Sequence, residues 1–447
     1  MPQLLRAATP VQLLVAGFAA IVLVSAAALS MPFCSTGGRP TPYVDALFMT
    51  SSAISTTGLV VADIGRDYTL IGQLLMLVVV QIGGIGYMCF VPLVVVGLAG
   101  RRLTIGARML LRESMARPTW LDMVKFTKVI LVATLIIESL GAAVLAAFYA
   151  GSMPLGSAAY AGVYHSVNAF CTAGMSIWTT NMMCHAGALV PNLVLLVLML
   201  TGGIGFFVLY DVAHTGKKLV RRESPRALST HSHLALVVTA VLVGAGTAVL
   251  LLSGSPEAGA SLPRRALTSL FQTVSASTTT GFNSVDIGAL AMPALFVLIL
   301  LMFVGASPNS TGGGIKTTTL GVTVTALWCV LRGRRDVTLF RRRVKPDTVN
   351  AAFGLSLAAV VWVAAVTGVM AFTERAQFDQ LLFEVVSAFG NVGLSTGITT
   401  SLSVAGKLLL SATMFFGRVG PLAIGFSLIG RREVEVLRYP EADVFVG

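Results

Sequence analysis

Charge is scarce in this sequence. Of 447 residues only 11% are Asp, Glu, Lys or Arg, 55% are hydrophobic, and the mean hydropathy is +0.85. A soluble domain carries roughly 25% charged residues, so a soluble globular protein is excluded. Histidine and cysteine are scarce too, at five each. Cys34, Cys89, Cys171, Cys184 and Cys329 have no metal-ligand spacing and read as packing residues. No Ser/His/Asp set, carboxylate pair or His/Cys cluster shares a register, which argues against a membrane-embedded enzyme.

What is abundant is long apolar runs. Eight are long enough to cross a bilayer, which takes roughly 20 residues each. They cover 11–29, 70–98, 124–149, 189–212, 234–252, 292–328 (interrupted), 351–372 and 405–429. Residues 1–33 also have signal-peptide features, but removing them would cost the chain its first span. The net charge of +12 suggests nucleic acid until its placement is read. Of 31 basic residues, 23 lie at Arg6, in 100–128, 214–233 and 331–346, or after residue 429. That pattern argues against a nucleic-acid partner and places both termini and these loops in the cytoplasm by the positive-inside rule.

One pattern occurs four times. Phe48, Tyr164, Phe271 and Phe383 each stand ten residues before a glycine, namely Gly58, Gly174, Gly281 and Gly393. Five residues before each glycine is an alanine (Ala53, Ala169, Ala276, Ala388), and directly after it a large apolar residue (Leu59, Met175, Phe282, Leu394). The glycines are 116, 107 and 112 residues apart, which marks a fourfold internal repeat. The repeats are 1–100, 101–232, 233–346 and 347–447, the last with a short tail. The expected fold is an all-α polytopic membrane protein of four span–pore-helix–span units: eight transmembrane helices plus four re-entrant helices around a pseudo-fourfold pore.

The short segments 43–54, 158–170, 265–276 and 377–389 would make helices of about 18 Å, able to enter a membrane but not cross it. Each ends at a loop: Ser55-Thr56-Thr57-Gly58, Cys171-Thr172-Ala173-Gly174, Thr278-Thr279-Thr280-Gly281 and Asn391-Val392-Gly393. Non-helical backbone at membrane depth is tolerated only when buried in protein or facing water. Four such loops satisfy that rule by converging on one axis. They carry no acidic ring, as a divalent-cation filter favours, and no basic ring, as an anion pore favours. Glycine lets carbonyls turn inward, and a ring of carbonyls replaces the hydration of a monovalent cation. The rival reading is four re-entrant turns that only pack.

The second spans share Q-I-G-G-I-G (81–86), T-G-G-I-G (201–205) and G-R-V-G (417–420), a spacing that lets helices approach closely. Arg418 stands where the others have Gly84 and Gly203, so it faces the interior as a pathway barrier or as a structural partner. In repeat three the span is broken by Gly305, Ala306, Ser307, Pro308, Asn309, Ser310, Thr311, Gly312, Gly313 and Gly314, followed by Ile315 and Lys316. This loop should lie beneath the filter as a gate. It is not a phosphate-binding loop, because Ile315 separates Gly314 from Lys316. Glu138 and Glu384 are read as holding neighbouring helix ends or loops, with ion-path residues as the alternative, His165 as packed or hydrogen-bonded, and Asn283 as a brace behind the filter.

With these pieces placed, the sequence resembles the Trk/Ktr/HKT superfamily of cation transporters, most closely its Ktr-type membrane subunit. The resemblance covers nearly the whole chain and rests on S-T-T-G-L (55–59), S-T-T-T-G-F-N (277–283), S-A-F-G-N-V-G-L-S-T-G-I-T (387–399), S-P-N-S-T-G-G-G-I-K-T-T-T (307–319) and G-R-V-G-P-L (417–422). It implies potassium as the transported ion, bound at the residues of the four loops. In that family a glycine in all four loops goes with potassium selectivity and a serine in the first loop with sodium permeation; here Gly58 holds that first position. It implies 305–315 as an intramembrane gate with Arg418 across the pore. It implies a homodimer in the bacterial inner membrane, contacting lipid and resting on a cytosolic ring of nucleotide-binding regulatory subunits, a separate protein. Alternatives are a sodium/potassium-permeable or sodium-coupled relative, and a secondary solute transporter, whose usual two inverted repeats differ from four parallel ones.

Overall fold

Lipid offers backbone groups no hydrogen-bond partners, so apolar chain satisfies them internally. The computed structural model describes residues 10–99, 120–220, 228–253, 259–334 and 336–430, and does so almost wholly with helices. The first quarter forms α1 (Pro10–Leu29), α2 (Tyr43–Ile54) and α3 (Leu70–Ala99). The second forms α4 (Trp120–Tyr149), α5 (Leu155–Phe170), α6 (Leu189–Gly203) and α7 (Phe206–Val220). The third forms α8 (Thr230–Leu252), α9 (Leu262–Ser277), α10 (Met292–Val304) and α11 (Thr317–Leu331). The fourth forms α12 (Pro346–Thr373), α13 (Phe378–Gly390) and α14 (Val404–Gly430). Arg6, most of the basic stretch 100–128, part of 214–233 and both chain ends lie outside the described residues.

Among the described residues, three stretches are single helices long and apolar enough to cross a membrane: Thr127–Tyr149, Thr230–Leu252 and Pro346–Thr373. Their outward sides carry exposed Leu135, Ile136, Leu140, Val241, Leu357 and Val361, an apolar surface that suits lipid. The run 292–328 is split into α10 and α11. The run 189–212 is also split, which its sequence did not announce: Leu189–Gly203 and Phe206–Lys218 meet at a 102° bend. The cause is a neighbouring segment. Gly205 takes a φ of +94°, and a Cβ built on it would lie 2.4 Å from Pro308 O. The Phe206 amide donates to Asn309 O at 2.8 Å instead of continuing the helix.

Each short helix is held on two sides. α2, α5, α9 and α13 pack on the long helix before them (α1, α4, α8, α12) and on the helix after them (α3, α6, α10, α14). The later helix of each quarter also packs on the short helix of the next: α3 on α5, α6 on α9, α10 on α13, and α14 back on α2. The order is therefore cyclic. The repeated sequence positions are its anchors. Phe48, Tyr164, Phe271 and Phe383 are fully buried, as are Ala53, Ala169, Ala276 and Ala388. Within lipid these buried rings hold the helices by close packing rather than by a hydrophobic gain.

The last-to-first contact carries an ion pair, Lys407 Nζ to Asp45 Oδ1 at 2.6 Å, partly open to solvent. Solvent screening keeps such a pair near 0.2–1 kcal/mol. Asp45→Asn should lower the melting temperature of detergent-solubilised protein only slightly, measured by a thermal shift assay.

Candidate functional site

Every short helix ends in the same backbone move. The residue two before the repeat glycine is left-handed in all four turns: Thr56 (φ 55°), Thr172 (52°), Thr279 (58°) and Asn391 (53°). The glycines follow at φ 94°, 58°, 89° and 92° for Gly58, Gly174, Gly281 and Gly393. L side chains avoid this region. The residue before each glycine turns its amide back into its helix: Thr57 N to Ser52 O, Ala173 N to Asn168 O and Thr280 N to Ser275 O at 2.8 Å, and Val392 N to Ser387 O at 2.9 Å.

The four turns touch one another in a closed circle. A Cβ built on Gly58 would lie 2.2 Å from Ala173 O, and one on Gly174 2.1 Å from Thr280 O. On Gly281 it would lie 2.0 Å from Val392 O, and on Gly393 2.1 Å from Thr57 O. Each glycine thus faces the carbonyl of the next turn, and the fourth faces the first. Hydroxyls brace the ring. Ser55 Oγ and Thr57 Oγ1 share a hydrogen bond of 2.6 Å, and Thr278 Oγ1 and Thr280 Oγ1 one of 2.8 Å. Asn391 Nδ2 donates to Thr57 Oγ1 at 2.9 Å and to Met414 O at 2.8 Å. Ser52 Oγ and Ser387 Oγ accept the Gly58 and Gly393 amides.

The second-span glycines explain how close the helices come. A Cβ on Gly83, Gly202 or Gly417 would strike Ile54 O, Phe170 O or Phe389 O at 2.1, 2.0 and 2.0 Å. The short helices of the first, second and fourth repeats therefore set a C-terminal carbonyl directly against their following helix. The recurrent glycine register was the sequence signal for this contact.

Segment 305–316 lies against the same ring and touches all four turns. Thr311 is its hub. Thr56 Oγ1 donates to Thr311 O at 3.2 Å, and Thr172 Oγ1 to Thr311 Oγ1 at 3.0 Å. Thr311 Oγ1 donates to Phe170 O at 3.0 Å, and the Thr311 amide to Gly202 O at 3.2 Å. The Gly313 amide donates to Thr279 Oγ1 at 3.1 Å, and a Cβ on Gly313 would meet Asn391 Oδ1 at 2.4 Å. Ser307 N also bonds Gly203 O at 3.0 Å, so this segment and the α6–α7 bend break each other's helices. Arg418, 6% exposed, donates to Thr311 O through Nη1 and to Gly83 O at 2.6 Å through Nη2. Lys316 Nζ bonds carbonyls of its own loop, Gly312 O at 2.8 Å and Gly313 O at 3.2 Å.

On the other side of the ring opens a cavity of about 380 Å³, lined by Gly58, Gly174, Gly393, Asp63 and Asp286 among others. Glu384 is fully buried and accepts from Thr396 N at 3.1 Å and Thr399 Oγ1 at 2.9 Å, behind the cavity wall. Glu138 accepts from Gln81 Nε2 at 3.0 and 3.2 Å and from Cys171 Sγ at 3.6 Å, beside the second turn. His165 is buried and stacked on Trp178. Asn283 does not brace the ring: its Nδ2 bonds Val285 O at 3.1 Å and it lines the cavity. A two-residue separation from Gly281 leaves it already past the turn. The sequence marks Thr311 only as one residue of the gate loop and Gly205 only as one glycine of the repeated close-packing register; neither the hub nor the bend can be read from those placements.

The sequence profile of the TrkH family, described as a cation transport protein, matches residues 6–430. The chain is 35% identical over 443 residues to Ktr system potassium uptake protein B of Bacillus subtilis, covering 98% of this chain and 97% of that one. It is 33% identical to the Vibrio alginolyticus protein of the same name, covering 98% and 94%. It is 29% identical to the potassium/sodium uptake protein NtpJ of Enterococcus hirae, covering 98% and 97%. The solved potassium transporter TrkH from Vibrio parahaemolyticus shares the fold, with a TM-score of 0.70 at 20% identity over 92% of this chain and 84% of that one. The chain belongs to the TrkH family of cation transport proteins, a family of transporters and not of enzymes.

Proposed function

We propose that this protein is the pore subunit of a Ktr-type potassium uptake system, and that the ring of four turns is its selectivity filter. The observation that carries this reading is the closed circle of glycine-to-carbonyl contacts from Gly58 through Gly393 back to Thr57. Carbonyls set around one axis, with no ionisable side chain in the turns, suit a dehydrated monovalent cation. The C-termini of α2, α5, α9 and α13 each add roughly half a negative charge near the ring. Eight spans and four re-entrant helices then surround one pore, with the repeats divided at about 100, 232 and 346.

Segment 305–316 is the inner gate, closed here. It occupies the face of the ring opposite the open cavity, and Arg418 holds it through Thr311 while placing a positive charge in the ion's path. Movement of the segment opens the pore, and cations then enter down the membrane potential, worth about 2.3 kcal/mol per charge per 100 mV. The relatives named as parts of a Ktr system favour a partner subunit, read here as a cytosolic nucleotide-binding ring beneath a homodimer in the bacterial inner membrane, with both termini cytoplasmic.

The relative named for potassium and sodium uptake favours a second reading, a filter that passes both ions. Rubidium uptake into proteoliposomes with an inside-negative potential, with and without equimolar sodium, decides between them. Uptake that sodium leaves unchanged supports a potassium filter. Equal competition supports the second reading, and no uptake of either ion contradicts both. In the same vesicles Gly205→Ala, which would push a methyl into Pro308 O, is expected to displace the gate and raise basal flux several-fold, about the effect of 1 kcal/mol.

A further inference from the structure

Nine residues before the repeat glycines stand Met49, His165, Gln272 and Glu384, four different side chains at one place on four equivalent helices. All four are buried, at 0–1% exposure. In three repeats this side chain takes hold of the chain leaving the turn. His165 Nδ1 donates to Ala161 O at 2.8 Å, so Nε2 is the acceptor for Ser176 Oγ at 3.0 Å. Gln272 Oε1 accepts the Ser284 amide at 3.4 Å. Glu384 takes three donors: Ser395 Oγ, Thr396 N and Thr399 Oγ1, the last two at 3.1 and 2.9 Å. In the first repeat the outgoing residues are Val60 and Val61, and Met49 belongs to the same apolar cluster. Brace and outgoing chain match in polarity in every repeat.

These contacts sit behind the wall of the outer cavity, to which Val60, Ser176, Ser395 and Thr399 contribute. Resting on the filter reading above, we propose that this position is a set of positioning residues that fix the outer end of the filter. Glu384 is the dominant one and a determinant of ion selectivity. Three hydrogen bonds on the one carboxyl group of Glu384 hold the fourth repeat more firmly than the single contacts of the second and third. A ring that cannot shrink excludes an ion smaller than the one it fits. A ring released on one side closes around the smaller ion.

The test is Glu384→Met, which installs the residue the first repeat already carries, beside Glu384→Gln, which installs that of the third. Rubidium and sodium uptake are measured in the same vesicles. Glu384→Met is expected to lower the rubidium-to-sodium ratio on the order of tenfold, the equivalent of about 1.4 kcal/mol, with rubidium flux largely kept. Glu384→Gln, which keeps one acceptor oxygen of the two, should fall between wild type and Glu384→Met. A wild-type ratio in Glu384→Met overturns the proposal. So does an equal fall of both ions in both variants, which marks a purely structural residue. If Glu384→Met does not fold, His165→Met puts the same question to the second repeat, with the same two outcomes. Gly281→Ser separates this from the filter itself. If it shifts the ratio and Glu384→Met does not, only the brace is wrong; if neither does, the filter reading falls.

Discussion

The Gly281→Ser variant is expected to lose its preference for potassium over sodium while its helices stay folded. Gly281 has a φ of +89°, and any Cβ there would sit 2.0 Å from Val392 O. Backbone strain alone in such a region is of order 1–3 kcal/mol, and the overlap with a main-chain oxygen adds to it. The strain is relieved only if the third and fourth turns move apart, which breaks the circle at one contact. A tenfold or larger drop in the potassium-to-sodium flux ratio corresponds to about 1.4 kcal/mol or more, well inside what this strain supplies. Gly58→Ser, with its Cβ 2.2 Å from Ala173 O, should act alike on the first contact. Gly244→Ala and Gly368→Ala are the controls, because nothing lies within 4 Å of a Cβ at either position. They should keep wild-type flux ratios. Unchanged selectivity in Gly281→Ser, with an unchanged thermal melt, removes the filter assignment.

The second large effect belongs to the gate. Removing residues 309–312 takes away Thr311 and with it the bonds to Thr56, Thr172, Phe170, Gly202 and Arg418. Steady flux without any activating partner should rise by at least tenfold. Arg418→Ala is the milder form. It deletes the charge-assisted contact to Thr311 O, worth about 1.5–3 kcal/mol, and the positive charge beside the ring. A rise in basal rubidium flux on the order of tenfold is expected, with the ion preference kept, since the four turns do not use Arg418. Flux unaltered in the deletion shows that 305–316 is no barrier. A change of preference without a change of rate would place Arg418 in the filter instead.

Features with a local signature (a repeated register, a broken span or a charge among apolar residues) could be read in the sequence, and those set by distant partners could not. The Phe48, Tyr164, Phe271 and Phe383 register located the short helices because the same packing problem is solved four times: an aromatic anchor, a small alanine and a glycine at fixed distances. Arg418 drew attention because a charge among apolar residues is costly. Lys316 drew the same attention, yet it bonds carbonyls of its own loop. Thr311 stands in the sequence only as one residue of the loop, and its role as hub stayed hidden because a threonine in a polar loop looks ordinary until five partners from other segments surround it. The bend at Gly205 stayed hidden for a related reason. Its cause is Pro308 and Asn309, more than 100 residues away in the chain, and local propensity says nothing of so distant a partner. The matched polarity of Glu384 with Ser395, Thr396 and Thr399 was likewise legible only once the outgoing chain had been placed against the helix.

The most direct measurement is anomalous diffraction from crystals grown in rubidium or thallium. Density is predicted on the axis enclosed by the carbonyls of Thr57, Ala173, Thr280 and Val392, weakened when sodium replaces the heavier ion and displaced in Gly281→Ser. Heavy-ion density found only elsewhere, with none inside that ring, contradicts the account.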